Sequence, residues 1–247
     1  MALLEVKSLN KSFGGLQAVQ GVNFQLKQGE LSSMIGPNGA GKTTLFNLIT
    51  GYHRPDSGGV IFGGQDITHL PHYERVRRKM GRSFQRTNIF LGLSVLDNVR
   101  MAVFSALGKS FQMFRFSGEF PAVNDKALET LGRVGLLDYK DWTASKLSHG
   151  DQRLLEIAIA LAGDPILLLL DEPTSGMSSE ETTRTVHLVR RLCKETGLTI
   201  LFIEHDMDVV FEISDWIRVL HQGRMIAEGT PKSVAQNEEV RIAYLGT

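Results

Sequence analysis

Residues Leu31–Thr50 read LSSMIGPNGAGKTTLFNLIT, and the order of residue types in that stretch decides the fold. An apolar strand, SSMIG, runs into a glycine-rich loop, and the loop opens into a helix, KTTLFNLIT, that ends at Gly51. A glycine just past a helix end suits the left-handed cap that other residues resist. Gly36-Pro37-Asn38-Gly39-Ala40-Gly41-Lys42-Thr43 matches G-x-x-x-x-G-K-[ST], and Thr44 completes the segment. Glycines there let backbone N–H groups curl inward around phosphate oxygens, while the helix behind points its positive end at them. Lys42 brings a point charge to the β and γ phosphates, and the Thr43 hydroxyl is placed to ligate Mg²⁺. A glycine-rich turn without a ligand is the bland alternative, and the strand before and capped helix after weigh against it. The loop therefore predicts a bound nucleoside triphosphate, ATP or GTP.

Two further segments gain meaning beside that loop. ILLLLDE, Ile166–Glu172, is so apolar that its strand must be buried on both faces, so Asp171 and Glu172 emerge at its carboxyl end, where α/β sheets place ligands. Asp171 is expected to hold Mg²⁺, directly or through water, and Glu172 to polarise the attacking water as general base. An acidic pair after a strand is a weak signal alone and a strong one next to a phosphate loop. His205, in LTILFIEHD, also follows an apolar strand and is expected at the same sheet edge, in reach of the γ-phosphate. A lone histidine is more often structural.

Around these segments the chain reads as an α/β protein with a mostly parallel sheet. The first thirty residues alternate in short strands broken by Gly14-Gly15, a subdomain of antiparallel type. Residues 86–150 carry helical spacing in LSVLDNVRMAVFSAL and DKALETLGRVGLL, which predicts a helical lobe inserted into a single domain over 1–247. The tail reads as a hairpin, WIRVLHQG then RMIAEG, and a last helix capped by Thr230 with Pro231 at its first position. The 27 basic and 27 acidic side chains cancel, so no overall field recruits nucleic acid or an anionic membrane. Cys193 is the only cysteine, so no intrachain disulfide can form, and its place in LVRRLCKETG reads as helical core. Apolar runs such as Ile166–Leu170 are far shorter than the roughly 20 residues that span a bilayer, so a membrane link is expected through a partner.

Several motifs in this order resemble the nucleotide-binding subunits of ATP-binding cassette (ABC) transporters, over nearly the whole chain. The phosphate loop comes first, RSFQ places Gln85 at the family's Q-loop, LSHGDQ (Leu147–Gln152) is similar to the LSGGQ signature, and ILLLLDE is the Walker B strand. SGMS at 175–178 stands at the D-loop, and His205 at the switch histidine. The resemblance implies that Phe13 stacks on adenine, that Gln85 joins the Mg²⁺ site and links it to the helical lobe, and that the cofactors are ATP and Mg²⁺. Ser148 and Asp151 form a helix-capping pattern ahead of DQRLLEIAIALAG, so that helix end offers N–H groups, the Ser148 hydroxyl and the bare backbone of Gly150. A cap without a ligand is an equal reading of those residues alone. The resemblance implies instead that this end meets ATP held by a second subunit, this chain or a related cassette.

Two residues depart from the family: His149 replaces the first signature glycine, and Ser178 the D-loop aspartate. LSHGDQRLLEIAIALA, IEHDM, an insertion from about Val103 to Val123 and the EVRIAYLG ending are similar to the ATPases of branched-chain amino-acid importers, with urea and amide importers as close kin. The resemblance implies transmembrane permease subunits, a substrate-binding protein in the complete system, and a peripheral place on the cytoplasmic face of the membrane. Lipopolysaccharide export is the nearest alternative. A soluble cassette acting on nucleic acid or the ribosome fits poorly with one cassette, no sustained heptads and zero net charge. The Phe- and Met-rich insertion has two readings, as support for a groove that accepts a permease helix or as packing of the lobe on itself.

Overall fold

The structure, a computed structural model, describes residues 2–83, 89–107 and 120–245. In chain order its strands and helices begin β1 (Ala2–Phe13), β2 (Leu16–Lys27), β3 (Leu31–Ile35), α1 (Lys42–Thr50), β4 (Ser57–Phe62), β5 (Gln65–Asp66), α2 (His72–Arg77) and β6 (Met80–Arg82). They continue α3 (Val95–Ala106), α4 (Pro121–Val134), α5 (His149–Leu161), β7 (Leu167–Asp171), α6 (Ser179–Thr196) and β8 (Thr199–Ile203). The last are α7 (Met207–Ile213), β9 (Trp216–His221), β10 (Arg224–Gly229), α8 (Pro231–Ala235) and α9 (Glu238–Leu245). They form two compact units, Met1–Arg75 with Arg190–Thr247, and Val76–Val189.

In the first unit β1 and β2 make a long hairpin that turns at Gly14-Gly15, where Gly14 has φ +57°. Val22, Phe24 and Leu26 are buried at every second position of β2, the period of a sheet with one face on a core. β4 joins the other side of β1, with Leu4 opposite Phe62, giving the antiparallel order β2-β1-β4-β5. β3 is buried at all five positions, with the Ser32 hydroxyl donating to the Trp216 carbonyl at 2.9 Å, and lies parallel to both β8 and β9. β9 and β10 form the expected hairpin through Gln222-Gly223, both left-handed (φ +46° and +78°), as a two-residue turn demands.

Helix α1 ends at Gly51 with φ +80°, and a Cβ there would lie 2.7 Å from Nε of Arg75. Arg75 is 1% exposed and donates to the carbonyls of Leu48, Ile49, Leu70 and Thr68 at 2.6–2.9 Å. Two of those carbonyls belong to the last turn of α1, where the Gly51 N–H also reaches the Leu48 carbonyl at 3.3 Å, so a buried cation helps to satisfy the helix end. Burial brings its pKa down to about 10, which leaves it charged at neutral pH.

In the second unit β6 runs parallel to the fully buried β7, with Arg82 level with Leu169. Helix α3 is capped by Ser94, whose hydroxyl accepts the Asp97 N–H at 3.0 Å, and α4 starts with Pro121 and stops at Gly135, φ +77°. Val95, Val99 and Val103 of α3, and Ala127, Leu131 and Val134 of α4, are buried at helical spacing, as the periodicity of 86–150 predicts. Phe104 and Phe120, at the rims of the insertion, meet edge to face at 5.2 Å; residues 108–119 lie outside the described residues. Helix α5 starts at His149 rather than Asp151, because Ser148 itself is the cap.

Candidate active site

The phosphate loop is shaped by steric contact at its two outer glycines. A Cβ on Gly36 would sit 2.0 Å from the Leu220 carbonyl oxygen, and one on Gly41 (φ +100°) 2.2 Å from that of Ala18. Gly39, φ +80°, has no protein atom within 4 Å of such a position and opens outward. The Lys42 ammonium donates to the carbonyls of Gly36 at 2.6 Å and Pro37 at 3.0 Å, so its charge is held inside the curl of the loop. Gly41 supplies the N-cap of α1, with no side chain capping the helix and no acid in its first turn. An anion placed there meets the positive helix end without competition from a side chain of that turn.

Beside the loop lies a cleft of about 640 Å³ lined by Phe13, Leu16, Gln20, Thr43, Thr44 and Gln222 among others. Phe13 is 45% exposed and Leu16 69% exposed, an apolar ledge over which a flat base can lie. The Phe13 ring meets His53 edge-on at 5.3 Å, and the Lys11 ammonium stands 5.4 Å from its centre. His205 is exposed just after β8, and its own N–H donates to the Glu204 carboxylate at 3.1 Å. Because Met34 of β3 is level with Ile203 of β8, His205 leaves the sheet at the edge where Gly36 begins the loop.

In the second unit Asp171 closes β7, buried to 2% exposure, with its carboxylate 3.2 Å from the Arg82 guanidinium. Its N–H is held by the Ser83 hydroxyl at 3.4 Å, and the Ser83 N–H by the Leu169 carbonyl at 2.9 Å, so β6 fixes the strand end. Glu172 has φ +51°, a left-handed conformation that costs a non-glycine residue on the order of 1–3 kcal/mol and gathers at functional sites. Gln85 lies outside the described residues.

The signature segment and the D-loop segment are joined in the same unit. The Ser148 hydroxyl accepts the Asp151 N–H at 3.1 Å, which is the predicted cap of α5. Sequence reasoning missed Glu181. Its Oε2 accepts the N–H and the hydroxyl of Ser178, both at 3.0 Å, and its Oε1 accepts the hydroxyl of Ser148 at 3.0 Å. The Ser178 N–H and hydroxyl, with help from Ser148 and the Gly150 N–H, hold the Glu181 carboxyl below its ordinary range. The spacing S-x-x-E at 178–181 is a capping-box signature that could have flagged it. His149 lies against the D-loop turn: a Cβ on Gly176 (φ +76°) would sit 3.2 Å from its Cε1. Arg82, on the Walker B carboxylate, was also missed, since only strand register brings it there.

Comparison with known proteins bears on the family and the fold. Residues 19–175 match the ABC transporter family, and residues 224–247 match the branched-chain amino acid ATP-binding cassette transporter family. The chain is 41% identical over 252 residues to the high-affinity branched-chain amino acid transport ATP-binding protein LivG of Escherichia coli K12, covering 99% of this chain and 98% of that one. It is 34% identical to the lipopolysaccharide export system ATP-binding protein LptB of the same organism, over 100% and 98% of the two chains. Among solved structures, an ATP-binding cassette of an ABC transporter in its ADP conformation matches with TM-score 0.89 and 30% identity over the full length of both chains. A dimeric cassette in a post-hydrolysis state, bound to ADP and Pi, matches with TM-score 0.78 and 28% identity over 92% of this chain and 98% of that one.

Proposed function

The chain belongs to the ABC transporter family, and from that membership we propose that it hydrolyses ATP to drive import of branched-chain amino acids or a related small nitrogen compound. The match of its C-terminal stretch to the branched-chain cassettes is the observation that carries the cargo. Lipopolysaccharide export is the second reading, supported by a relative of lower identity. The chain works as a dimer with a second copy or a related cassette, docked on transmembrane permease subunits, with a substrate-binding protein completing the system. No helix among the described residues is long and apolar enough to cross a membrane; the chain attaches peripherally, through the permease, on the cytoplasmic face.

The reaction is phosphoryl transfer to water, achieved by positioning and charge neutralisation. Residues Gly36–Thr44 wrap the phosphates with backbone N–H groups, and Lys42 adds a charge held ready by two loop carbonyls. The exposed ring of Phe13 stacks on the base. Glu172 orients the attacking water and takes its proton, and His205 stabilises charge developing on the γ-phosphate.

Thr43, Gln85 and Asp171 would hold Mg²⁺, which would supply positive charge to offset that of the nucleotide phosphates. The residues fit that ion: Thr43, Gln85 and Asp171 offer only hard oxygens. Among the described residues no cluster of three or more His, Cys, Asp or Glu forms a protein cage that would favour another metal. Ser148 and Gly150, at the start of α5, take the γ-phosphate of the nucleotide held by the other subunit, so each ATP is sandwiched between two chains.

Reconstituting the chain with its permease in vesicles tests the proposal. ATP-driven uptake of leucine, isoleucine or valine, or of urea or a short amide, is the expected result. Transport of lipid alone, or ATP hydrolysis unaffected by any permease, overturns it.

A further inference from the structure

Glu181 caps one helix and reaches the start of another. As the third residue of a capping box it needs only one oxygen, and Oε2 does that work on Ser178 at the start of α6. The second oxygen is surplus to the box. It lies 3.0 Å from the Ser148 hydroxyl at the start of α5, and a Cβ added to Gly150 would stand 2.5 Å from it, so a carboxylate oxygen covers the backbone of Gly150. An anion therefore already sits on the donors that the sandwiched dimer assigns to a phosphate.

Resting on that sandwich reading, we propose that Glu181 is a built-in stand-in for nucleotide phosphate. It occupies the signature donors in the free subunit and must leave them before the ATP of a second copy can engage. The Ser148 hydroxyl already lies between two carboxylates, Oε1 of Glu181 at 3.0 Å and Oδ2 of Asp151 at 3.1 Å, and a phosphate arriving over Gly150 would meet Oε1 with strong repulsion. The exchange needs no unfolding, because the Ser148–Glu181 bond is exposed to solvent and rotation of the Glu181 side chain breaks it. Contact between His149 and the Gly176 turn ties signature to D-loop, so the two segments meet the incoming nucleotide as one surface. Glu181 thus sets the threshold for dimer closure.

The test uses the full chain carrying Glu172→Gln, which retains ATP, and measures the ATP-dependent monomer–dimer equilibrium by sedimentation. Adding Glu181→Ala or Glu181→Gln is expected to tighten the ATP-bound dimer by about tenfold, the scale of one lost charge-assisted competitor. ATP affinity of the dilute monomer, read with a fluorescent analogue, is expected to stay the same. The Gln variant keeps an oxygen for Ser178 and decides the matter if the Ala variant does not fold. A parent that dimerises with ATP while both variants dimerise equally or more weakly overturns the role of Glu181 alone. A parent that shows no ATP-dependent dimer overturns the sandwich reading and this inference with it.

Discussion

Replacing Gly41 by alanine isolates what the loop's close contacts are worth, with Gly39→Ala as its control. Both glycines have left-handed backbones, φ +100° and +80°, so each substitution incurs a conformational cost of about 1–2 kcal/mol. Only at Gly41 does the new methyl collide, 2.2 Å from the Ala18 oxygen and 3.5 Å from a Leu220 methyl. The Ala18 contact lies more than an ångström inside ordinary van der Waals range and is with backbone, which cannot rotate away. Overpacking of that kind adds about 1–3 kcal/mol. The nucleotide-free Gly41→Ala protein should therefore melt about 2–12 °C below Gly39→Ala, at about 2–4 °C per kcal/mol for a chain of this size. Gly39→Ala should lose only that conformational cost in stability yet also lose ATP affinity, because its methyl points into the space assigned to nucleotide. Differential scanning calorimetry without nucleotide, paired with calorimetric ATP titration, reads both. Equal melting temperatures for the two variants would refute the claim that contact with Ala18, rather than backbone conformation alone, makes Gly41 obligatory.

Further outcomes are expected at four residues. Glu172→Gln should lower turnover by about 10²–10⁴-fold with ATP binding retained, and normal turnover in a phosphate-release assay would remove Glu172 from the base role. Lys42→Ala should weaken ATP binding by about 10- to 100-fold, the worth of a charge-assisted contact, measured by equilibrium titration. Cys193 is 5% exposed, and burial pushes its thiol from 9.0 up to about 11. Its alkylation at pH 8 should run about a hundredfold slower than that of an unfolded thiol. Since the folded state keeps this proton longer, stability should fall between pH 9 and 11 by about 2–3 kcal/mol, a slope that Cys193→Ala removes. Arg75→Met should cost about 4 kcal/mol by removing four hydrogen bonds to carbonyls, three of them buried, visible as a large drop in denaturant midpoint.

Much of the fold was legible because local chemistry and burial agree. The unbroken apolar run of β7 could only be a buried strand, Gly51 could only end α1, and the Gln222-Gly223 hairpin carries its own turn chemistry. The caps at Ser148 and Thr230 are short-range patterns, and sequence reads those well. The phosphate loop needed only order and spacing. Residues that depend on register or on long-range approach stayed hidden. Nothing in the order of residues places Arg82 on Asp171 or the second oxygen of Glu181 on Ser148, 33 positions away. The buried cation at Arg75 was equally opaque, since an arginine in HYERVRRK reads as one exposed charge among several.

That arginine has a consequence at a distance. Helix α1 is nine residues long, so its two ends are about 13 Å apart. An isolated helix would set its negative pole against any phosphate bound at the other end. Here the fixed charge of Arg75 overcompensates that pole, and the phosphates feel a net positive source along the whole rod. At an effective dielectric of about 20, a unit charge at that range contributes about 1 kcal/mol per phosphate charge. Because Arg75 is sealed from water, mobile ions screen this far field much less than they would a lysine on the surface. The grip on nucleotide should accordingly keep part of its strength in high salt.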